Sequence, residues 1–158
     1  MTAGPWPTAR SDAAETLACT WGGTPPSPTG EFTIDPGTTL SPSDGPLDFF
    51  ATGVLDGEDG CNGRFTMRGI IHAGSHCLNA PFSGKARGIP VVDTFEGNIP
   101  FTTAIPSSLL YDRAGNLVGR QQMQIVTQDD EHSEAADCNT EEGFTHGLFS
   151  AVVVVSDL

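Results

Sequence analysis

The chain of 158 residues is poor in basic side chains. It has one lysine and six arginines against 20 acidic residues, and its formal net charge is −13 at pH 7. So few cations cannot form the continuous basic surface that binds a phosphate backbone, and we therefore exclude a nucleic-acid partner. No apolar run approaches the roughly 18 residues of a membrane-spanning helix, so we also expect no membrane partner.

Helix-forming sequence is equally scarce. The chain contains 19 glycines and 12 prolines, the two residues that fit a helix interior least well. No segment repeats its apolar residues with the 3.6-residue period of a helix. We therefore expect an all-β protein.

The prolines are concentrated near the amino terminus. Eight of the 12 lie in residues 1–46, where they interrupt regular structure. We predict an irregular, proline-rich arm over residues 1–46, which acts as a lid or is a frayed terminus. Short strands are expected within it at Thr16–Trp21 and Glu31–Ile34.

From residue 47 to residue 158 the pattern is that of successive strands. Between Arg64 and His72, apolar and polar residues alternate with the period of two that is typical of a half-buried strand. Asp112–Asn116 has the composition of a tight hairpin turn between two further strands. Other strands are expected at 47–55, within 84–104 and at 144–155.

The last strand indicates how the sheet is arranged. Ala151–Val155 is apolar on both faces, and an exposed edge strand of this kind promotes aggregation. We infer that it is paired on both sides. The sequence thus predicts one domain over residues 1–158, a closed antiparallel β-barrel of about seven to nine strands; a β-sandwich is the alternative.

Four cysteines permit two disulfides. Cys61 and Cys77 bracket an apparent hairpin, so we expect them to pair and leave Cys19 with Cys138. Four reduced thiols in a cytosolic protein are the alternative. The first residues lack the basic and apolar regions of a signal peptide. The protein is therefore cytoplasmic if Met1 is the native start and secreted if a leader has been removed.

No motif for nucleophilic catalysis or phosphate binding is present, and the spacing of the histidines and cysteines fits no standard metal site. Glycines interrupt several strands that also hold Phe or Met. Such strands could enclose a hollow, mostly apolar lumen that binds a small molecule; a filled core with bulges is the alternative. The predicted substrate-binding residues are Trp21, Phe65, Met67, Met123 and His146, and the predicted catalytic hydrogen-bond donors are Tyr111 and Gln121.

The segment Leu109–Gly119, LLYDRAGNLVG, resembles a hairpin of small β-barrel cyclases. These are the allene-oxide-cyclase-like and dirigent-like barrels, including bacterial spirotetronate cyclases that catalyse a (4+2) cycloaddition. The resemblance implies cyclisation of an apolar small molecule in natural-product biosynthesis, without a cofactor. Confinement of the substrate in one reactive conformer and a polarising hydrogen bond would lower the barrier to ring closure.

A second hypothesis assigns the chain to a different class. It would be a secreted, disulfide-stapled binding or inhibitor module with a solid core. Its acidic loop Asp129–Glu142 would then act on a basic partner. The sequence leaves the oligomeric state open, with a homodimer as one option.

Overall fold

The computed structural model describes residues 16–24, 27–99, 106–126 and 137–156. It consists of antiparallel strands rich in Phe, Val, Ile and Thr, residues that suit a pleated surface with one buried face. Within these ranges, no helix is long and apolar enough to cross a membrane. The strands are β1 (Thr16–Trp21), β2 (Gly23–Thr24), β3 (Ser27–Pro28), β4 (Gly30–Thr38), β5 (Leu47–Gly57), β6 (Arg64–Ile71), β7 (Ala80–Arg87), β8 (Thr94–Ile99), β9 (Ser107–Tyr111), β10 (Leu117–Val126) and β11 (Phe144–Ser156).

Strands β4 to β11 form a closed barrel of eight strands, and β1 is one further strand of the same sheet. Each strand pairs with the next in sequence, and β11 closes the barrel by pairing with β4 as well as β10. The apolar Ala151–Val155 segment has β10 on one side and β1 on the other. The predicted closed antiparallel barrel is confirmed.

Strands β1 and β4 together fill the gap between β5 and β11. Trp21 pairs with Ala151 and Gly30 with Phe149, so β4 continues along β11 where β1 ends. The hairpin β2–β3 is inserted between them, and the Gly30 amide donates to the Gly22 carbonyl at its base, at 3.1 Å.

The prediction of an irregular arm over residues 1–46 needs correction, because β1 and β4 are strands of the barrel sheet. Both short strands expected within it are present, and they belong to the barrel wall. Of the described prolines in this region, Pro28 lies in the inserted hairpin, Pro36 within β4, and Pro42 and Pro46 in the β4–β5 connection, where they leave the barrel pairing intact. Residues 1–15 lie outside the described residues, so a lid formed by them stays a prediction.

Aromatic side chains fill much of the barrel interior. Phe49, Phe82 and Phe95 lie near one another, with ring centroids 5.3–6.5 Å apart. Trp21 packs against Phe65 and Phe149 at 4.7 and 4.5 Å in edge-to-face arrangements. These separations are those of favourable aromatic pairs, so contacts between aromatic rings stabilise the core.

Two facing glycines allow β6 and β7 to approach closely. Gly69 and Gly84 are paired in the ladder. A Cβ atom at Gly84 would lie 2.2 Å from the Arg68 carbonyl oxygen and 2.5 Å from the Gly69 Cα atom. Only glycine fits here, and the missing side chains permit the strong local curvature that barrel closure needs.

The two disulfides join Cys19 to Cys61 and Cys77 to Cys138. The predicted pairs Cys61–Cys77 and Cys19–Cys138 are therefore wrong, although all four predicted cysteines are bonded. The cause is topological: Cys61 precedes β6 and Cys77 follows it, so strand β6 holds them at opposite ends of the barrel. Each cysteine pairs with one that the barrel brings to its own end.

Candidate ligand-binding site

Five of the predicted site residues meet inside the barrel. They are the buried side chains Trp21, Phe65, Met67, Gln121 and Met123. The alternation of β1, β6 and β10 directs them inward. Their roles toward a substrate stay predictions.

Gln121 has its hydrogen-bonding capacity used by its neighbours. Its Oε1 accepts from the Trp21 Nε1 at 2.7 Å, and its Nε2 donates to the Ser108 Oγ at 3.1 Å. The Nε2 also lies 3.2 Å from the Met67 Sδ. A buried amide with this many partners orients the core, because each partner would be left unsatisfied without it.

The inward-facing glycines of this region leave no opening beside these residues. A Cβ atom at Gly53 would lie 2.9 Å from the Trp21 ring, and one at Gly147 would lie 2.7 Å from the Phe32 ring. The space that each glycine leaves is occupied by an aromatic ring. This part of the interior thus matches the alternative of a filled core.

Tyr111 and His146 do not lie in the lumen, which corrects their predicted location. Tyr111 is half-buried on the outer face, where its hydroxyl donates to the Glu96 Oε1 at 2.8 Å. His146 is exposed, with its Nδ1 3.0 Å from the Thr145 Oγ1. In β9 the buried positions are Ser108 and Leu110, so the alternation turns Tyr111 outward.

A groove of about 810 Å³ lies on the outer face of the barrel, across β7 to β11. Its volume falls in the roughly 300–1,000 Å³ range of small-molecule sites. Most of its lining side chains are the outward-facing ones of these five strands. The lining residues are His72, Pro81, Phe82, Ser83, Glu96, Gly97, Asn98, Ser107, Ser108, Leu109, Arg120, Gln121, Gln122, Val152 and Val154.

Strand register arranges the groove as two neighbouring rows. One row follows the ladder through Ser83, Glu96, Leu109, Arg120 and Val154. The second row, one outward position along each strand, contains Pro81, Asn98, Ser107, Gln122 and Val152. Adjacent strands are about 4.8 Å apart, so neighbouring members of a row can contact the same small molecule.

The groove combines apolar side chains with polar ones, and Arg120 lies between Leu109 and Val154 in the first row. The apolar part comprises Leu109 on β9 with Val152 and Val154 on β11, and the two valines are 46% and 36% exposed. The polar part toward β7 holds Glu96, which accepts the Tyr111 hydrogen bond, and Ser83, whose Oγ is 3.0 Å from the His72 Nε2. A mainly apolar site with a few oriented polar groups is typical of a ligand pocket.

Arg120 is the cation of the groove. Its row neighbours are Leu109 on one side and Val154 on the other, neither of which can accept a hydrogen bond through its side chain. Among the described residues, its side chain forms no ion pair and no hydrogen bond. The guanidinium is therefore available to a bound molecule.

The turn beside the groove is held by Asp112. Its Oδ1 accepts from the amides of Ala114 and Asn116, both at 2.9 Å. The hydrogen bond from the Asn116 amide is the main cause that lowers the pKa of Asp112 below its ordinary 3.8. The carboxylate is thus ionised near neutral pH and fixes the β9–β10 hairpin, which supplies Leu109, Arg120 and Gln122 to the groove.

The pKa of Tyr111 is shifted in the opposite direction. The hydrogen bond to Glu96 is the main cause that raises it above 10.0, and burial and the negative charge of Glu96 act in the same sense. Tyr111 is therefore a neutral donor that holds the Glu96 carboxylate in place. It acts on the groove through Glu96 and does not line it.

In the described ranges, no group of three or more His, Cys, Asp or Glu side chains could hold a metal ion. Cys77 is bonded to Cys138. Most of the acidic loop Asp129–Glu142 lies outside the described residues, so a basic partner for it stays a prediction.

The sequence pattern predicted a site inside the barrel, and the groove was not predicted. One signal was present: Leu109, Val152 and Val154 are apolar, yet each is next to the buried positions of its strand and must face outward. Only the register shows that these three positions line one groove, with Leu109 and Val154 on either side of Arg120. Periodicity assigns a face to each residue and leaves open which strands lie side by side.

No family model, no curated protein and no solved structure matches this chain.

Proposed function

We propose that this protein binds a small, largely apolar molecule in the groove on the outer face of β7–β11. The observation behind the proposal is the groove itself, about 810 Å³ with Leu109, Val152 and Val154 as its apolar part. Exposed Val and Leu side chains gain about 25 cal/mol for each Å² of apolar surface that a ligand covers. The groove is preferred over the lumen because buried rings already occupy the interior around Trp21.

Cyclisation of the bound molecule is the finer part of the proposal. The β9–β10 hairpin, which resembles that of the β-barrel cyclases, also lines the groove through Leu109, Arg120 and Gln122. Confinement against Leu109 would favour a folded conformer, and a hydrogen bond from Arg120 or Gln122 could polarise a carbonyl group. Ring closure of this type needs neither a nucleophile nor a cofactor.

The binding step can be tested with Nile red, a neutral apolar dye. We expect its fluorescence to increase and saturate with the native protein. Val152→Asp should weaken binding, because a charge then stands in the apolar part of the groove. The matched control is Val54→Asp, since Val54 is an exposed valine on β5 and does not line the groove.

Unchanged binding in Val152→Asp, or equal weakening in both variants, would contradict a ligand site in the groove. Binding that survives in Val152→Asp and is lost in Met67→Lys, with the fold intact by circular dichroism, would return the site to the lumen.

The stapled binding module remains the second candidate. It is favoured by the two disulfides, each of which fastens one end of the barrel. Such a module would bind a polycation through its acidic surface. Calorimetric titration with polylysine tests this: no heat of binding at low salt, where charge attraction is strongest, would contradict it.

A further inference from the structure

We propose that Arg120 makes the groove selective for a carboxylic acid with an apolar body. This inference rests on the proposed function, since it names the class of molecule that the groove would bind. The guanidinium would pair with the ligand carboxylate, and the apolar body would lie over the valines of β11 and Leu109.

The position of Arg120 in the groove supports this selectivity. Its row neighbours Leu109 and Val154 offer only hydrocarbon, and among the described residues the guanidinium has no partner. A ligand that covers these neighbours also removes water from around the cation. Charge-assisted hydrogen bonds gain strength as water is excluded, and the planar guanidinium matches the two oxygens of a carboxylate.

Three of the other cations have partners within the protein. Arg68 lies over the Phe50 ring, 4.5 Å from its centroid, Lys85 pairs with Asp93 at 3.7 Å, and Arg64 donates to the Thr52 Oγ1 at 3.0 Å. All three stabilise the outer surface of β5–β8. Among the described residues, Arg87, Arg113 and Arg120 have no such partner, and of these three Arg120 alone lines the groove.

Glu96 limits the class of ligand further. It lies in the same row two strands from Arg120, a backbone separation on the order of 10 Å. Its carboxylate is held by Tyr111 and would repel a second anionic group. A single carboxylate at the Arg120 end therefore fits, and a hydroxyl at the other end could donate to Glu96.

The experiment compares decanoate with decanol, which have the same chain length and differ in the head group. We expect native protein to bind decanoate about tenfold more tightly than decanol by calorimetry at low salt and pH 8, because a hydrogen bond between two charged groups exceeds one between neutral groups by this order. Arg120→Gln should abolish the preference for decanoate, because it weakens decanoate binding far more than decanol binding. Arg113→Gln is the control, since Arg113 is an exposed arginine of the β9–β10 turn that does not line the groove.

The outcomes distinguish a failure of the carboxylate selectivity from a failure of ligand binding in the groove. If both probes bind equally and Arg120→Gln changes neither, the selectivity is wrong and the apolar groove stands. If neither probe binds, the proposed function fails as well. If Arg113→Gln weakens decanoate as much as Arg120→Gln does, the preference reflects general charge attraction and the role of Arg120 is contradicted.

Discussion

Tyr111 and Glu96 show how one hydrogen bond connects a turn with the groove. Tyr111 ends β9, just before the hairpin turn, and Glu96 lies on β8 in the first row of the groove. The sequence predicted that Tyr111 donates to a substrate, and this role stays a prediction; in the structure its hydroxyl donates to the Glu96 carboxylate of the same chain. Its effect on a ligand would be to position Glu96.

Tyr111 is the only tyrosine of the chain, so its ionisation can be followed directly. We expect ultraviolet absorbance to give a pKa above 10.0 in the folded protein, because the hydrogen bond to Glu96 favours the protonated phenol. The raised pKa adds stability below pH 10.0, and this contribution disappears as pH rises through the folded-state pKa. Glu96→Gln should lower the pKa toward 10.0. A pKa that is the same in native protein and in urea would contradict the interaction.

The buried hydrogen bonds of Gln121 can be tested by comparing substitutions at Gln121 and at its exposed neighbour Gln122. Gln121→Leu leaves the Trp21 Nε1 and the Ser108 Oγ without their partner, and we expect it to cost about 1–3 kcal/mol in urea denaturation. Gln122→Leu, at the next and outward-facing position, should stay within about 0.5 kcal/mol. The loss in the Trp21→Phe/Gln121→Leu double variant should be smaller than the sum of the single losses. Additive losses would show that the Trp21–Gln121 bond contributes nothing.

At the scale of the elements, the period of two accounts for most of the fold. Together with turn composition and β propensity, it placed β5, β6, β9, β10 and β11 close to their observed bounds. The strands expected at Thr16–Trp21 and Glu31–Ile34 are present as β1 and within β4, but the frequency of proline led to their assignment to an arm outside the barrel. Both strands are stabilised by pairing, β1 with β11 and β4 with β5. Their partners are distant in sequence, so local composition cannot predict this pairing.

The Gly69–Gly84 pair tests whether close strand approach is required. Gly84→Ala would put a Cβ atom 2.2 Å from the Arg68 carbonyl oxygen, and backbone cannot yield as a flexible side chain does. We expect a loss of about 3 kcal/mol or more. Gly45→Ala is the control, because nothing lies within 4 Å of its Cβ position, and it should be neutral or stabilising by up to about 1 kcal/mol. Equal stability of the two variants would contradict the tight β6–β7 contact.

At the scale of the whole molecule, the barrel decides which residues can meet. The candidate site combines side chains of five strands, and the cysteines pair across 42 and 61 residues of sequence. The sequence pattern indicated the apolar strand faces, permitted two disulfides and predicted that Ala151–Val155 is paired on both sides. It could not place the groove or the disulfide partners, because both depend on strand order and on which end of the barrel each connection occupies.

The disulfide arrangement predicts a different behaviour for different pairs of Cys→Ser changes. Cys19→Ser/Cys61→Ser removes one bridge, so no free thiol should appear and stability should fall by about 2–4 kcal/mol. Cys19→Ser/Cys138→Ser breaks both bridges and leaves Cys61 and Cys77 at opposite ends of β6, too far apart to bond. We expect two titratable thiols and a loss near the sum of both bridges in urea denaturation. A Cys19→Ser/Cys138→Ser variant without free thiols would mean that Cys61 pairs with Cys77, and the two ends of the barrel would then not be fastened separately.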